Sequence, residues 1–293
     1  MLSKVSRRAF LYSLAAVTTL NLTPWRSARQ ALGADTSQNL VFYFTATGNS
    51  LYVAKRLTNE ALSIPQELKK TTREYTADTI GIVCPVYSGE LPKIVRRFLQ
   101  GSTFKADYFY IILTYGNHDS VAGEWASNFA QSVGIHVDYA NTVLMVDNYL
   151  PAFDMDEQKK IDKKIEEQLV DLFENIKNQK KGIPEPTEEG RQGYARVLKR
   201  NTEHPEINGG NQITITDACV GCGICGRVCP VANFYLKDGK AMRRQETCEF
   251  CLACAHNCPQ KAITLNISDK NPQARFRNEH VSLADIIRAN RQG

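Results

Sequence analysis

The chain has 293 residues, enough for two modest domains, and at 43% hydrophobic and 23% charged residues its composition is that of an ordinary folded protein. Disordered and membrane-embedded classes are thereby excluded. The formal charge of +5 sits at the start: Lys4, Arg7, Arg8, Arg26 and Arg29 fall in the first 33 residues with no acid among them, and taking these five from the 36 Lys and Arg leaves 31, equal to the 31 Asp and Glu. A phosphate-backbone binder needs a positive surplus to displace counterions, so nucleic acid is not expected as a partner.

In chain order, residues 1–33 read as an address. Ser6-Arg7-Arg8-Ala9-Phe10-Leu11 resembles the twin-arginine export signal. The apolar run that follows, 9–22, is short and interrupted by Ser13, Thr18, Thr19 and Asn21, unlike a bilayer span. Arg26 and Arg29 lie beyond it, and Ala31-Leu32-Gly33-Ala34 offers a cleavage site of small residues. A basic amphipathic helix or a retained anchor are the alternatives. Export by this route implies a periplasmic or other extracytoplasmic location, with no transmembrane anchor after cleavage.

Residues 34–178 alternate short apolar runs with helical patterns. Strands are expected at 40–44, 79–84, 108–114 and 142–146, with a weakly marked one near 65–72. Helices are expected at 49–61, 91–100 and 121–133, and a longer one at 156–178 with Ile161, Ile165, Leu169, Leu172 and Ile176 on one stripe. Alternating strands and helices imply a mostly parallel sheet covered on both faces. Residues 179–212 turn polar and read as a linker around a short helix at 194–198. Residues 213–268 hold the clustered cysteines, and 269–293 form a tail whose helix, 282–289, is opened by a Ser282/Asp285 capping pair.

Three loops follow strand ends. The first, Thr45-Ala46-Thr47-Gly48-Asn49-Ser50, opens a helix and presents hydroxyls and N–H groups to an anion. It has neither the lysine of a nucleoside-triphosphate loop nor the glycine pattern of a dinucleotide site, so a monophosphate suits it and direct NAD(P)H binding is not expected. Ordinary capping by Thr and Ser is the bland alternative. This motif is similar to the phosphate loop of flavodoxins, and the element order resembles their doubly wound α/β parallel sheet, order 2-1-3-4-5. That resemblance implies FMN, with Tyr87, Ser88 and Gly89 and then Tyr115, Gly116 and Asn117 around its ring, Tyr87 or Tyr115 stacking on it. The segment 145–151 is placed to close the far side. His118 reads as a loop hydrogen bonder and Cys84 as a small hydrophobe at a strand end.

Cys219, Cys222, Cys225 and Cys229 are spaced x2, x2, x3 with Pro230 following; Cys248, Cys251, Cys254, Cys258 and Pro259 repeat this 29 residues later. Disulfides between cysteines so close would be strained, and zinc sites use separated pairs. The run is the bacterial ferredoxin signature for two [4Fe–4S] clusters, in which the fourth cysteine ligates the other cluster. The resemblance therefore assigns Cys219, Cys222, Cys225 and Cys258 to cluster one, and Cys248, Cys251, Cys254 and Cys229 to cluster two. His256, within the second run, is expected to be exposed. Flavodoxin half, linker and small α+β ferredoxin half together resemble the fused flavodoxin–ferredoxin ("ferrodoxin") family, and the closing stretch from 275–278 through 289–290 looks like that family's end.

The favoured expectation is an exported carrier that exchanges electrons between FMN, two clusters and redox partner proteins. One alternative is an FMN-dependent reductase of a small extracytoplasmic substrate, fed by the clusters; no catalytic acid with a convincing position is visible. The other is a ferredoxin beside an empty flavodoxin-like docking domain.

Overall fold

A computed structural model describes residues 38–244 and 248–293; the expected export signal lies outside the described residues. The described residues open with β1 (Asn39–Tyr43), α1 (Asn49–Leu57), β2 (Leu62–Ser63), α2 (Ile64–Glu67), β3 (Glu74–Thr76), β4 (Thr79–Pro85), α3 (Lys93–Gln100), β5 (Thr103–Lys105), β6 (Tyr108–Tyr115), α4 (Ala122–Ser132) and β7 (Tyr139–Leu144). Strands β2-β1-β4-β6-β7 form one sheet in that order, every neighbouring pair parallel. Counting only these five strands, the order is 2-1-3-4-5, the flavodoxin-like doubly wound arrangement. Central strands β4 and β6 are buried almost throughout, as parallel strands covered on both faces must be. Strands β3 and β5 pair separately beside the sheet.

The expected strand near 65–72 is corrected to Leu62–Ser63. Pro65 has no N–H for a ladder but fits the first turn of a helix, so α2 starts where the strand was expected to begin. The last strand starts three residues earlier than 142, because Tyr139 and Ala140 are themselves buried core residues.

The expected helix 156–178 is two helices, α5 (Met155–Gln158) and α6 (Ile165–Lys177). Asp162 Oδ1 accepts the Lys164 N–H at 2.9 Å, and Lys164 takes φ +52°, which breaks the rod. A side chain offering the backbone an alternative partner competes with helix in this way. Ile161 matched the stripe's spacing yet is 46% exposed. In place of the short helix expected at 194–198 there is α7 (Glu188–Glu203), sixteen residues long and capped by Thr187, whose Oγ1 accepts the Gly190 N–H; none of its residues, all described, is buried. Gly190 and Gly193 weaken its sequence signal.

The cysteine-bearing part consists of β8 (Ile213–Ile215), α8 (Ile224–Arg227), β9 (Phe234–Lys237), β10 (Lys240–Arg243), α9 (Ala253–His256) and β11 (Ile263–Leu265), with β8 against β11 and β9 against β10, both antiparallel. The tail helix α10 (Leu283–Asn290) has the expected Ser282/Asp285 capping box. Its Ile286 and Ala289 join Val41, Leu51 and Val53 in the core on one face of the sheet, and Val228 and Ala253 of the cysteine part enter the same core. Residues 38–293 form one compact unit. Among the described residues no helix is long and apolar enough to cross a membrane.

Candidate functional site

All nine cysteines are described, and none of them forms a disulfide. Gly221 and Gly223 flank Cys222 with φ of +68° and +72°, and the positions 29 residues on, Phe250 and Leu252, flank Cys251 with φ of +48° and +60°. Both repeats therefore curl through left-handed backbone on either side of their second cysteine, a conformation natural to glycine and strained for Phe and Leu. Cys219, Cys222, Cys225 and Cys258 line one small cavity with Ile224, Ala241 and Ile263. Burial raises the Cys225 thiol to about 11, and the sulfurs of Cys219, Cys222 and Cys258 add to the rise. Burial likewise lifts Cys251 and Cys254 well above the usual thiol range; Cys229 and Cys248 lie near enough to act on both, and Cys225 also reaches Cys254. Each group of four sulfurs thus draws on both repeats. Iron–sulfur ligation would take these groups as thiolates, displacing the thiol protons. Backbone N–H groups already point at four of the sulfurs: Asn233 to Cys229 (3.2 Å), Ala241 to Cys219 (3.4 Å), Phe250 to Cys248 (3.3 Å) and Ala262 to Cys258 (3.3 Å). Such bonds stabilise ligating thiolates and tune cluster potential.

A second cavity, of about 930 Å³, opens beyond the carboxyl ends of β1, β4, β6 and β7, where ligands of doubly wound sheets sit. Thr45, Ala46, Thr47 and Asn49 line it, as do Tyr87, Ser88, Gly89, Tyr115, Gly116, Asn117 and His118. Gly48 and Ser50 do not line it. Gly48, at φ +108°, faces the tail, where a Cβ would stand 2.9 Å from Asn278 and Val281; Ser50 Oγ bonds Thr114 Oγ1 at 2.8 Å. Gly48 N–H donates to Thr45 Oγ1, while among the described residues the N–H groups of Thr47, Asn49 and Ser50 find no acceptor in the protein. Unpaired N–H groups at the start of a nine-residue helix make an anion cradle. Ser88 and Gly89, both at positive φ, form a tight turn closed by reciprocal Tyr87–Glu90 backbone bonds. Gly116 has no room for a side chain, since a Cβ would lie 2.4 Å from Asp147 Cα. Cavity size and free donors fit a mononucleotide cofactor. Cys84 is a fully buried strand residue outside this lining.

Residues 218–263 match the family described as 4Fe-4S dicluster domain. The chain is 43% identical over 47 residues to one component of an ion-translocating oxidoreductase complex of Methanosarcina acetivorans, spanning only 18% of that protein. It is 39% identical over 51 residues to a ferredoxin of Thermococcus litoralis and 35% over 52 residues to one of Methanothermococcus thermolithotrophicus, 17% of this chain in each case but 86% and 87% of those ferredoxins. The chain belongs to the ferredoxin family. Its dicluster domain transfers electrons through ferredoxin-type [4Fe–4S] clusters. The sheet part is similar to a Bacteroides uniformis structure provisionally described as a flavoprotein, at 17% identity over 37% of this chain and 90% of that one, with a TM-score of 0.27.

The ferredoxin part supplies one wall of the large cavity. Glu249, Phe250, Cys251 and Leu252 all line it. Tyr87 and Cys251 both line the cavity and pack against the same core cluster, so this ring stands beside the second cysteine run. Glu249 fixes that run to the sheet part. Its carboxylate accepts the Ile94 N–H at 3.0 Å and meets Arg97 at 3.2 Å; burial raises its pKa against these two partners. Helix α7 crosses another side, with Tyr194 Oη donating to Glu90 at 2.7 Å, its ring against Gly89, and Arg191 paired doubly with Glu124.

His256 is corrected from exposed to buried. The Phe276 N–H donates to its Nδ1 at 3.1 Å, so Nε2 carries the proton and donates to Asn148 O at 2.8 Å. Burial lowers its pKa to about 4, keeping the ring neutral. Asn278 and Asn290 of the tail, buried as well, hold the first cavity loop: Asn278 N–H donates to Thr47 O at 2.8 Å and Asn290 Nδ2 to Thr45 O at 2.9 Å. No periodicity marks a buried Asn or His, so these roles emerge only in three dimensions.

Proposed function

We propose that this protein is an exported flavo-iron–sulfur electron carrier, with FMN in the large cavity and two [4Fe–4S] clusters held crosswise by the duplicated cysteine runs. The observation that carries this reading is Cys251. It belongs to the second group of sulfurs and also lines the cavity whose other wall is the 45–50 loop. When bound, FMN exchanges one or two electrons and each cluster one. In this arrangement Thr45, Thr47 and Asn49 hold the phosphate on the α1 N-terminus. Tyr87, Ser88, Gly89, Tyr115, Gly116 and Asn117 surround the flavin ring. Cys222 is exposed, so cluster one is the port for redox partner proteins, and cluster two lies inward against the flavin.

Protein purified anaerobically is expected to carry about eight irons with acid-labile sulfide and one FMN per chain. Its broad brown absorbance bleaches with dithionite. Holoprotein that releases no FMN on denaturation, with apoprotein that fails to bind added FMN, supports the empty-docking-domain alternative instead. Export rests on the paired arginines: Arg7→Lys with Arg8→Lys is expected to leave the protein in the cytoplasm, and unchanged periplasmic recovery in cell fractionation removes that part of the proposal.

A further inference from the structure

A closed ring of hydrogen bonds joins the cavity loop, the second cysteine run and the tail. Thr47 Oγ1 accepts from Asn148 Nδ2 at 2.7 Å; Asn148 O accepts from His256 Nε2 at 2.8 Å; His256 Nδ1 accepts from the Phe276 N–H at 3.1 Å; two residues on, the Asn278 N–H returns to Thr47 O at 2.8 Å. A side branch braces the same loop, Asn278 Nδ2 donating to Asn49 Oδ1 at 3.1 Å and Asn49 Nδ2 to Val146 O at 3.0 Å. Thr47, Asn49, His256 and Asn278 are all buried, where a broken hydrogen bond has no water to replace it. His256 ends α9, between Cys254 and Cys258.

We infer that His256 is a positioning residue through which iron–sulfur loading and FMN binding are thermodynamically linked. The inference rests on the cofactor reading above. Cys254 belongs to one group of sulfurs and Cys258 to the other, so the run between them is fixed only when both sites are filled. That fixes His256, which orients Asn148, which in turn holds the Thr47 hydroxyl and the loop that cradles the phosphate. With iron absent, the run is released, His256 has no fixed position, and the cradle loses the brace that Asn148 gives to Thr47. Linkage of this kind is reciprocal: whatever clusters add to FMN affinity, FMN adds to cluster retention.

The test uses full-length, iron-loaded protein stripped of flavin alone, titrated with FMN by quenching of flavin fluorescence, with iron counted in each sample. His256→Leu is expected to keep its iron but to bind FMN about tenfold more weakly, within the ordinary range of coupling between sites. His256→Gln, whose amide nitrogen still reaches Asn148 O, is expected to restore most of the affinity. Saturating FMN should slow chelator-driven iron loss in the wild type and do so much less in His256→Leu. The inference is overturned if iron-replete His256→Leu binds FMN as the wild type does, or if FMN leaves the rate of wild-type iron loss unchanged. Should His256→Leu fail to assemble clusters, Asn148→Ala decides, since it keeps the carbonyl that accepts from His256 but removes the Nδ2 donor to Thr47 Oγ1 that links His256 to the loop. Weakened FMN binding at full iron, with reduced protection by FMN, supports the ring; wild-type behaviour overturns it. A wild type that binds no FMN at all removes the flavin reading itself, and this inference with it.

Discussion

Replacing Cys219 and Cys258 together by alanine is expected to cost one cluster, whereas replacing Cys219 and Cys229 together costs both. The two residues of the first pair come from different repeats, 39 positions apart, yet they line the same small cavity with Cys222 and Cys225. Those of the second pair come from one repeat, but Cys229 lies near Cys248, Cys251 and Cys254 of the other. A fully cysteine-ligated cubane that loses one ligand is left with an open iron, and losing a second from the same cluster adds little further damage. Iron should therefore fall from about eight to about four per chain in the Cys219/Cys258 variant and to near zero in the Cys219/Cys229 variant. If each repeat instead built its own cluster, the two results would be exchanged. Iron and labile-sulfide counts on anaerobically purified protein, with low-temperature electron paramagnetic resonance of the reduced samples, distinguish the two arrangements directly.

Gly221→Ala is expected to abolish cluster one, while Gly223→Ala leaves both clusters in place. Each glycine has positive φ, a conformation that costs a side-chain-bearing residue about 1–2 kcal/mol. The second repeat shows that this cost alone is tolerated, because Phe250 and Leu252 bear it at the matching positions. What separates the two glycines is their surroundings. A Cβ on Gly221 would lie 2.2 Å from the carbonyl oxygen of Gly239, in the turn joining β9 and β10; one on Gly223 meets only Leu236 Cδ1, at 3.6 Å. Backbone cannot swing aside as a side-chain tip does, and overpacking of this kind typically adds about 1–3 kcal/mol. The strain falls between Cys219 and Cys222, whose relative placement the cluster requires. Iron near four in Gly221→Ala and near eight in Gly223→Ala is the expected pair of results. Equal iron and equal melting temperature in the two variants would show that the Gly221–Gly239 contact is unimportant.

Some features of this protein are written in short stretches of chain. The spacing of each cysteine run is a matter of how far neighbouring thiolates reach, so it is readable without a fold. The Ser282/Asp285 cap and the sheet strands at 40–44, 79–84 and 108–114 are similarly local, set by side-chain hydrogen bonds and apolar runs a few residues long. So is the 45–50 loop, whose place after a strand and before a helix follows from its own residues. Where a local signal had a local competitor, the reading failed: the Ile161 stripe lost to the Asp162 turn, and a strand near 65–72 lost to Pro65.

What the sequence could not disclose lies in contacts between distant residues. Asn148 and His256 are 108 positions apart, Asn278 and Asn49 are 229, and Asn290 and Thr45 are 245. Nothing in the periodicity of either partner depends on the other, since each is a single polar residue at a helix end or in a loop. The wall that Cys251 gives to the sheet's cavity has the same origin, because Glu249 meets the start of α3 only after the chain has returned from β10. Sequence alone thus determined which candidate ligands each run offers and where a loop suited to an anion stands. The ferredoxin resemblance already implied that the runs exchange their fourth cysteines; tertiary structure decided that one cysteine run, one tail and one loop share a single network. Local stereochemistry governs the first, and the second depends on burial, which is a property of the assembled chain.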